Sequence, residues 1–466
     1  MSTDMNRIDT IAAIATPVGN GAISVVRLTG RDSLDILKKH FSGSSETFTP
    51  RKVYYGKWLN RKNTMIDEVQ IIFYKAPHSY TGEDMLEIMC HGGQIVTEMI
   101  LETLLDDCKP ALKGEFTFRA FLNNKVDLIK AQAINDIINV KTRKGAELLV
   151  KGLEGRLSAL VEQIQDEFTK ISAMIEVQID YPDEIFEHSE VDEILQALFT
   201  VRTRIESVLN GAANSIRLKD GIDTVIIGPP NAGKSTLLNT LLKEDRAIVT
   251  DTPGTTRDYI REELNVNGIL LNLVDTAGIR KSNDTIETLG IERSLSMFRN
   301  APFVMFIFDI TAGIDEQSKK LIEEARLENK KILIILNKTD LSNNESDSRA
   351  VTEAIKGELK TYADVHEISA LKKRGIAELE NYIYDAVKGL VSVNDNDLIF
   401  NKLQKNTLEK IYGLTNSTVE DIQEGFTIDL VAIKIREIIQ DLNRLTGRDY
   451  EEDLINTLFS TFCLGK

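Results

Sequence analysis

The sequence is poor in cysteine and tryptophan and has no long apolar run. Its 466 residues include three cysteines, at positions 90, 108 and 463, and one tryptophan. A sparse and odd cysteine count argues against a disulfide framework and predicts a reducing compartment, so we expect a cytoplasmic protein. The longest apolar stretches, such as Phe303 to Phe308, fall far short of the roughly 18 residues of a membrane span. Together with the polar start from Met1 to Ile8, they predict no membrane segment and no signal peptide.

Basic residues are also in deficit. Lys and Arg number 56 against 72 Asp and Glu, which gives a net charge of −16. The acidity is spread along the chain without a basic block, which argues against tight nonspecific binding of nucleic acid. A nucleic-acid substrate would have to meet a local patch or a basic partner. The remaining composition, 42% hydrophobic and 27% charged, is globular and suits roughly three domains of about 150 residues.

Changes in residue pattern divide the chain into four segments. Residues 1–120 mix short apolar runs with glycine and predict an α+β domain. Residues 121–219 and 387–466 carry apolar residues at helical spacing, including one long helix predicted from Gly145 to Ile179. Residues 220–386 alternate strands and helices, which is typical of a mostly parallel sheet. We predict a discontinuous helical domain with the α/β domain inserted into it.

The same spacing predicts particular elements. A second helix is expected over about Val191 to Leu209. Five buried strands are expected in the α/β segment, at Thr224–Ile227, Ile269–Val274, Phe303–Phe308, Ile332–Leu336 and Glu367–Ser369.

A phosphate-binding loop is the strongest motif. Gly228 to Ser235 reads GPPNAGKS and matches G-x-x-x-x-G-K-[ST] between a predicted strand and a predicted helix. The glycines let backbone N–H groups turn toward phosphates, and the helix N-terminus adds a favourable dipole. Lys234 would reach the β- and γ-phosphates, and the Ser235 hydroxyl would bind Mg²⁺.

Three further motifs follow in order at predicted strand ends. Asp275–Gly278 reads DTAG, which suits Mg²⁺ and the γ-phosphate. Asn337–Asp340 reads NKTD, and its last carboxylate can pair with the N1–H and amine of guanine. Ser369-Ala370 can supply an N–H to the guanine O6. The segment therefore resembles a Ras-like GTPase domain. The predicted GTP-binding residues are Asn231, Ala232, Gly233, Lys234, Ser235, Thr236, Thr250, Asp251, Thr252, Pro253, Gly254, Thr255, Thr256, Asp275, Thr276, Ala277, Gly278, Asn337, Lys338, Asp340, Ser369 and Ala370.

The hydrolytic group is not standard. Ile279 stands where Ras-type proteins carry a water-orienting Gln, so the domain is a slow switch or takes its catalytic group from elsewhere. Glu287 is a candidate, although a lone Glu there also suits a solvated helix start. Thr256 is the expected second Mg²⁺ ligand. Asn231 could hold a monovalent cation beside the phosphates, in the place of an arginine finger.

Four segments carry a resemblance that covers the whole chain. They are Ser79–Asp84 (SYTGED), Gly114–Asn123 (GEFTFRAFLN), Thr250–Asp258 (TDTPGTTRD) and Cys463–Lys466 (CLGK). In this combination the chain resembles the MnmE (TrmE) family of bacterial tRNA-modification GTPases. The resemblance implies an N-terminal tetrahydrofolate-binding and dimerisation domain, a discontinuous helical bundle that carries the CLGK tail, and an inserted P-loop G domain.

The resemblance also implies an activity. The family forms a homodimer and works with an FAD-containing MnmG-type flavoprotein, in a heterotetramer, on certain tRNAs. It attaches an aminomethyl or carboxymethylaminomethyl group to C5 of the wobble uridine. A tetrahydrofolate derivative, 5-formyl or 5,10-methylene, supplies the one-carbon unit. GTP hydrolysis in the family requires K⁺-dependent pairing of two G domains.

Site residues carry over from the family by position. The resemblance assigns K⁺ to Asn231, the carbonyls of Thr250 and Thr252, and Thr255. It assigns the orientation of the attacking water to Glu287. The implied folate-binding residues are Arg27, Glu87, Lys125 and Lys466. Two departures stand out: Asn124 where the family usually has Gly, and Pro229-Pro230 where it usually has one Pro.

Alternatives stay open at three points. Cys463 is a candidate nucleophile on the uridine, or a residue kept for packing or for the geometry of the folate site. Cys90 and His91 are adjacent and would point to opposite faces of a strand, so we interpret them as structural. For the whole chain, the alternatives are a GTP-dependent ribosome-assembly or signalling switch and a folate-binding regulatory protein.

Overall fold

The protein, described here from a computed structural model, divides into two compact units. The first unit comprises Met1–Asn139, Gly152–Arg202 and Lys410–Lys466, and the second comprises Val140–Lys151 and Thr203–Glu409. The chain thus leaves the first unit and returns to it, as the inserted arrangement predicts; the domain boundaries drawn from the sequence stay predictions. The structure describes residues 9–43, 47–180, 188–244, 261–275, 297–312, 314–341, 346–392, 398, 400–450 and 452–465.

Thirteen strands lie in the part of the chain that the structure describes. They are β1 (Ile11–Ile14), β2 (Ile23–Thr29), β3 (Phe41–Gly43), β4 (Val53–Leu59), β5 (Met65–Tyr74), β6 (Met85–His91), β7 (Lys109–Pro110), β8 (Ile222–Ile227), β9 (Arg261–Val266), β10 (Ile269–Asp275), β11 (Phe303–Asp309), β12 (Lys331–Asn337) and β13 (Val365–Glu367).

The described residues of the two units also form helices. They are α1 (Ser33–His40), α2 (Gln94–Leu105), α3 (Glu115–Leu122), α4 (Leu128–Asn139), α5 (Arg143–Leu153), α6 (Arg156–Asp180), α7 (His188–Asp220), α8 (Lys234–Glu244), α9 (Glu316–Leu327), α10 (Ser346–Lys360), α11 (Ile376–Val387), α12 (Lys402–Glu424), α13 (Ile428–Thr446) and α14 (Glu452–Ser460). Among the described residues, none of these helices has the length and apolarity needed to cross a membrane.

The first unit is organised around a seven-stranded sheet with the order β3-β4-β5-β6-β2-β1-β7. Burial alternates along β4, where Tyr54, Gly56 and Trp58 face the core. Because every second residue of the strand is buried, one face of the sheet packs against the apolar core. Trp58 and Ile100 are fully buried in this core. The central pair β2 and β6 is antiparallel, with Arg27 opposite Glu87.

The second unit contains a six-stranded sheet with the order β13-β12-β11-β8-β10-β9. Strand β8 runs parallel to both β10 and β11, and only β9 is antiparallel, at one edge. The central strands β8 and β11 are buried almost throughout, as the apolar runs predict. Because parallel strands end at the same edge, the loops after β8, β11 and β12 meet there.

The structure corrects the long helix predicted from Gly145 to Ile179. Two helices, α5 and α6, occupy this stretch. Gly155 lies between them with a φ of 77°, and its N–H bonds to the Gly152 carbonyl. The spacing missed this break because Leu153 and Leu157 stay four residues apart across it.

Two further predictions needed adjustment. Helix α7 is longer than predicted because Ala212 and Ile216 continue its buried face. The strand predicted at Glu367–Ser369 is wrong, since β13 ends at Glu367 and Ser369 bridges to Arg374 instead. The other four predicted strands lie within β8, β10, β11 and β12.

Candidate functional site

The predicted phosphate loop connects the buried strand β8 to α8, which begins at Lys234. Gly233 has a φ of 97°, and a Cβ there would lie 2.2 Å from Asn337 Nδ2. Glycine is therefore required at this position by both conformation and space. Asn231 is exposed and also has a positive φ, 62°. The loop thus has the tight backbone that phosphate binding needs.

Lys234 is held inside this loop. Its ammonium donates to the carbonyls of Gly228, at 2.9 Å, and Pro229, at 3.0 Å. Ser235 and Thr236 are exposed in the first turn of α8. N–H groups in a first helical turn lack partners within the helix, so this end of α8 is suited to an anion.

The two predicted guanine-binding motifs, Asn337–Asp340 and Ser369-Ala370, are linked to the phosphate loop by the buried side chain of Asn337. Asn337 donates through Nδ2 to the Ala232 carbonyl at 2.9 Å, and its Oδ1 accepts the Ala370 N–H at 3.0 Å. Asp340 Oδ1 accepts from the Ser369 hydroxyl at 2.5 Å, and this bond lowers the pKa of Asp340. The structure therefore brings the two motifs together. The guanine contacts themselves stay predictions, because the Ala370 N–H is directed to Asn337.

One residue at this edge was not foreseen. Asp309, the last residue of β11, places Oδ2 at 2.7 Å from the Lys338 ammonium. Its Oδ1 accepts from the N–H and the hydroxyl of Thr311. Burial alone would raise the pKa of Asp309, but these bonds outweigh burial and lower it. An Asp directly after the apolar run of β11 was the sequence signal that could have identified it.

A second cluster lies in the first unit, on β2 and β6. Arg27 donates through Nε and Nη2 to Glu87 Oε1, at 3.1 and 2.7 Å. Its guanidinium also lies over the rings of Tyr80 and Phe116, 5.6 and 5.7 Å from their centroids. Tyr74 donates to Glu87 Oε2, because burial and the Glu87 carboxylate raise the pKa of Tyr74 and keep its hydroxyl protonated.

A cavity of about 320 Å³ opens beside this cluster, and we call it the folate cavity because two of the implied folate residues line it. Those residues are Glu87 and Lys125, and the Lys125 ammonium donates to the Pro77 carbonyl at 2.9 Å. The complete lining is Arg51, Tyr74, His78, Ser79, Tyr80, Met85, Glu87 and Lys125.

The C-terminal tail reaches the same cluster. Arg27 Nη1 donates to the Gly465 carbonyl at 3.0 Å. Gly465 has a φ of 85°, and a Cβ there would lie 2.4 Å from the Ile14 carbonyl oxygen. Cys463 accepts the Gly114 N–H through its own carbonyl, and its thiol is exposed and free. The tail is thus fixed through its backbone.

Comparisons with known proteins decide the family. The model for the GTP-binding protein TrmE N-terminus matches residues 10–125, and the model for the MnmE helical domain matches residues 128–463. The chain belongs to the MnmE family of tRNA modification GTPases. Three relatives are each a tRNA modification GTPase MnmE. Those of Thermotoga petrophila and Pseudothermotoga lettingae are 42% and 43% identical, over 98% of this chain and 100% of their own length. That of Clostridioides difficile is 38% identical, over 98% and 99%.

Two segments on which the MnmE resemblance rests are bonded to each other, and Ser79 and Tyr80 of the first segment line the folate cavity. The guanidinium of Arg119 is buried and donates to Glu115 at 2.8 Å and to Glu83 at 3.2 Å. Asn123 Nδ2 donates to the Thr81 carbonyl at 2.7 Å. The segments Ser79–Asp84 and Gly114–Asn123 are therefore bound to each other, which gives them a structural role that sequence reasoning did not assign.

Both departures from the MnmE pattern are accommodated. Asn124 adopts a φ of 53°, a conformation in which Asn substitutes for Gly at low cost. The next residue, Lys125, keeps its N–H bond to Ala120 at 2.8 Å. In the phosphate loop, Pro229 accepts a bond from Lys234 through its carbonyl, a contact that does not use the N–H that proline lacks.

The adjacent pair Cys90 and His91 lies at the end of β6. Cys90 is buried and His91 is exposed, so the two side chains face opposite sides, as predicted. Burial raises the pKa of the Cys90 thiol. His91 Nδ1 bonds to Asp67 at 2.7 Å instead. This geometry excludes a Cys–His catalytic pair.

The remaining predicted residues cannot be placed in the site. Asp275 is the last residue of β10, at the predicted edge. The others fall outside the described residues; they are Thr250, Asp251, Thr252, Pro253, Gly254, Thr255, Thr256, Thr276, Ala277, Gly278, Glu287 and Lys466.

Proposed function

We propose that this MnmE-family GTPase hydrolyses GTP in a potassium-dependent reaction and, with an FAD-containing MnmG-type partner, installs a (carboxymethyl)aminomethyl group at C5 of the wobble uridine of certain tRNAs. A tetrahydrofolate derivative, 5-formyl or 5,10-methylene, supplies the one-carbon unit. One observation carries the proposal. Besides the nucleotide-binding loop, the chain has a second site, in which Arg27 is hydrogen-bonded to Glu87 beside a cavity that Lys125 lines. A ribosome-assembly or signalling switch has no use for this second site.

GTP binding rests on the phosphate loop. Lys234 would exchange its bonds to two loop carbonyls for bonds to the β- and γ-phosphates. Ser235 and Thr256 would hold Mg²⁺, which neutralises charge on the phosphates. Two observations fit a bound nucleotide with Mg²⁺. Ser235 is exposed, and the backbone at Gly233 is packed so closely that it has no room for a Cβ. Asp340 would pair with guanine, its carboxylate kept ionised by Ser369.

Hydrolysis would depend on groups that replace the usual Gln. Asn231 would contribute to a K⁺ site with the carbonyls of Thr250 and Thr252 and with Thr255; the ion offsets transition-state charge. Asn231 is exposed at the edge of the loop, which leaves its amide oxygen accessible to a cation. Glu287 would orient the attacking water.

Folate binding rests on the chemistry of the folate cavity. Its wall combines the carboxylate of Glu87, the ammonium of Lys125 and the rings of Tyr74 and Tyr80. Aromatic rings suit a planar pterin, and a cation suits the anionic glutamate of the ligand. Arg27 and Lys466 would complete the set from the sheet and the tail. Cys463 precedes by two residues Gly465, whose carbonyl accepts a bond from Arg27, and it stays a candidate nucleophile with its thiol exposed.

Partners follow from the same proposal. We expect a homodimer formed through the N-terminal segments, where Ile23 and Ile95 are exposed apolar side chains on either side of the paired glycines 21 and 92. The partner flavoprotein would complete a heterotetramer and supply much of the basic surface for tRNA, given the net charge of −16. The three free thiols suit a cytoplasmic location.

A reconstituted reaction tests the proposal. Wild-type chain, partner flavoprotein, tRNA, 5,10-methylenetetrahydrofolate, GTP with Mg²⁺ and K⁺, and an amine as nitrogen donor (ammonium or glycine) should yield the modified nucleoside on digestion and mass spectrometry. Glu87→Gln should lose folate binding in a calorimetric titration and lose the product, with GDP affinity measured as the control for folding. A wild-type chain that binds no folate and forms no product would favour the switch.

A further inference from the structure

A larger cavity adjoins the folate cavity. Its volume is about 680 Å³, and Lys125 lines both cavities, so the two cavities are neighbours at this residue. It lies within the first unit, between the residues after α3, the first turn of α4, α6 and the residues after α13. We call it the basic cleft and define it by Lys125, Asp127, Lys130, Glu162, Arg448 and Tyr450.

Two ammonium groups in the basic cleft have no carboxylate partner among the residues that the structure describes. Lys125 donates to a neutral carbonyl, that of Pro77. Lys130 is half-buried in the first turn of α4, and its ammonium has neither a hydrogen bond nor an ion pair with any described residue.

The other charged side chains of the basic cleft make bonds within the protein. Arg448 donates to Glu162 and to Gln165, each at 2.9 Å. Asp127 accepts the Lys130 N–H at 2.7 Å and so caps the start of α4. The lining holds three cations, Lys125, Lys130 and Arg448, against the carboxylates of Asp127 and Glu162, so a net positive charge remains in a concave site on a chain whose net charge is −16. An anionic ligand is the chemistry that this arrangement fits.

The size of the folate cavity indicates where that anion comes from. Its 320 Å³ lies at the lower end of ligand sites, which span about 300–1,000 Å³, so a tetrahydrofolate would extend beyond it. Because Lys125 lines both cavities, a ligand that extends past it would meet the basic cleft. Folates are often extended by γ-linked glutamates, and each added unit brings one more carboxylate.

We propose that the basic cleft binds the γ-linked polyglutamate chain of the folate, with Lys125 and Lys130 as its cationic contacts. This inference rests on the proposed folate site and extends it to the class of ligand. An RNA phosphate would also suit two ammonium groups, but Lys125 lines both the folate cavity and the basic cleft and so relates the cleft to a folate, with no comparable link to RNA.

The test is a titration of the full chain with mono- and triglutamyl 5-formyltetrahydrofolate. We expect the triglutamate to bind about fivefold more tightly, in line with partly exposed ion pairs, and the difference to shrink as salt is added. Lys130→Gln should remove most of this preference while changing monoglutamate affinity less than about twofold. Lys38→Gln is the matched control: it removes the same charge from an exposed position on α1 and should keep the preference.

The outcomes separate the two claims. Equal affinity of wild type for both ligands overturns the polyglutamate site and leaves the folate site standing. No binding of either ligand overturns the folate site itself, and the inference falls with it. If Lys130→Gln instead weakens binding of an anticodon stem-loop RNA and keeps the triglutamate preference, the basic cleft is an RNA contact.

Discussion

Asp309 and Lys338 form an ion pair between the ends of the parallel strands β11 and β12, with 2.7 Å from Oδ2 to Nζ. Lys338 has a φ of 68°, and Ile310 donates its N–H to the Asn337 carbonyl. The pair therefore fixes the lysine of the NKTD motif in the position from which it would contact a guanine nucleotide.

Asp309→Asn is expected to weaken GDP binding about fivefold, because Lys338 loses its partly buried partner. Fluorescence titration with a labelled GDP measures this effect. Asp385→Asn is the control, since it breaks an exposed ion pair to Lys388 in the same unit and should leave the Kd unchanged. Equal affinity of wild type and Asp309→Asn would show that Lys338 needs no such support.

Gly233→Ala should abolish measurable GTP binding. Its φ of 97° and the 2.2 Å approach of a Cβ to Asn337 Nδ2 force the loop out of shape, at a cost of about 1–3 kcal/mol for the backbone strain alone. Gly357→Ala is a matched control, because Gly357 lies within α10 with nothing within 4 Å of a Cβ. Retained GTP affinity in Gly233→Ala would contradict the loop geometry.

The second unit was predictable in more detail than the first. Apolar runs fixed four of its strands because parallel strands are buried on both faces. The phosphate motif located Lys234 because its spacing is rigid. Sequence periodicity could not detect the break at Gly155, since an apolar repeat of four continues across it.

The folate cavity could not be predicted from residue spacing alone. Arg27 and Glu87 are far apart in sequence, and only the antiparallel register of β2 and β6 makes them neighbours. The resemblance to the MnmE family identified these two residues, whereas the sequence pattern alone would treat them as ordinary charged residues. The same holds for Arg119, whose buried partners become visible only in the fold.

Arg119→Gln should destabilise the first unit by about 3–5 kcal/mol, because it leaves Glu115 buried without its cation and Glu83 with a lost partner. Urea unfolding, followed by circular dichroism, measures the change. Arg143→Gln removes an exposed i,i+4 pair with Glu147 and should cost less than about 0.5 kcal/mol. Similar unfolding midpoints for the two variants would rule out a buried network.

Thiol alkylation should discriminate the three cysteines. Burial, together with the negative charge of Asp107, raises the pKa of Cys108 to about 12. This thiol therefore stays protonated at about pH 8 and should react slowly with the alkylating reagent. Cys90 is buried with a raised pKa, whereas Cys463 is exposed. Peptide mapping after brief iodoacetamide treatment should find Cys463 labelled first, and Cys463→Ser should remove most of the label. Faster labelling of Cys108 would contradict its burial.

The steady-state GTPase rate of the full chain, measured in matched KCl and NaCl buffers, tests most directly whether this chain is a cation-assisted GTPase. We predict a stimulation by KCl of at least about tenfold, lost in Asn231→Ala, because K⁺ would offset the transition-state charge that an arginine finger meets in other GTPases. Equal, slow rates in both salts, or a stimulation that survives in Asn231→Ala, would contradict the role of Asn231.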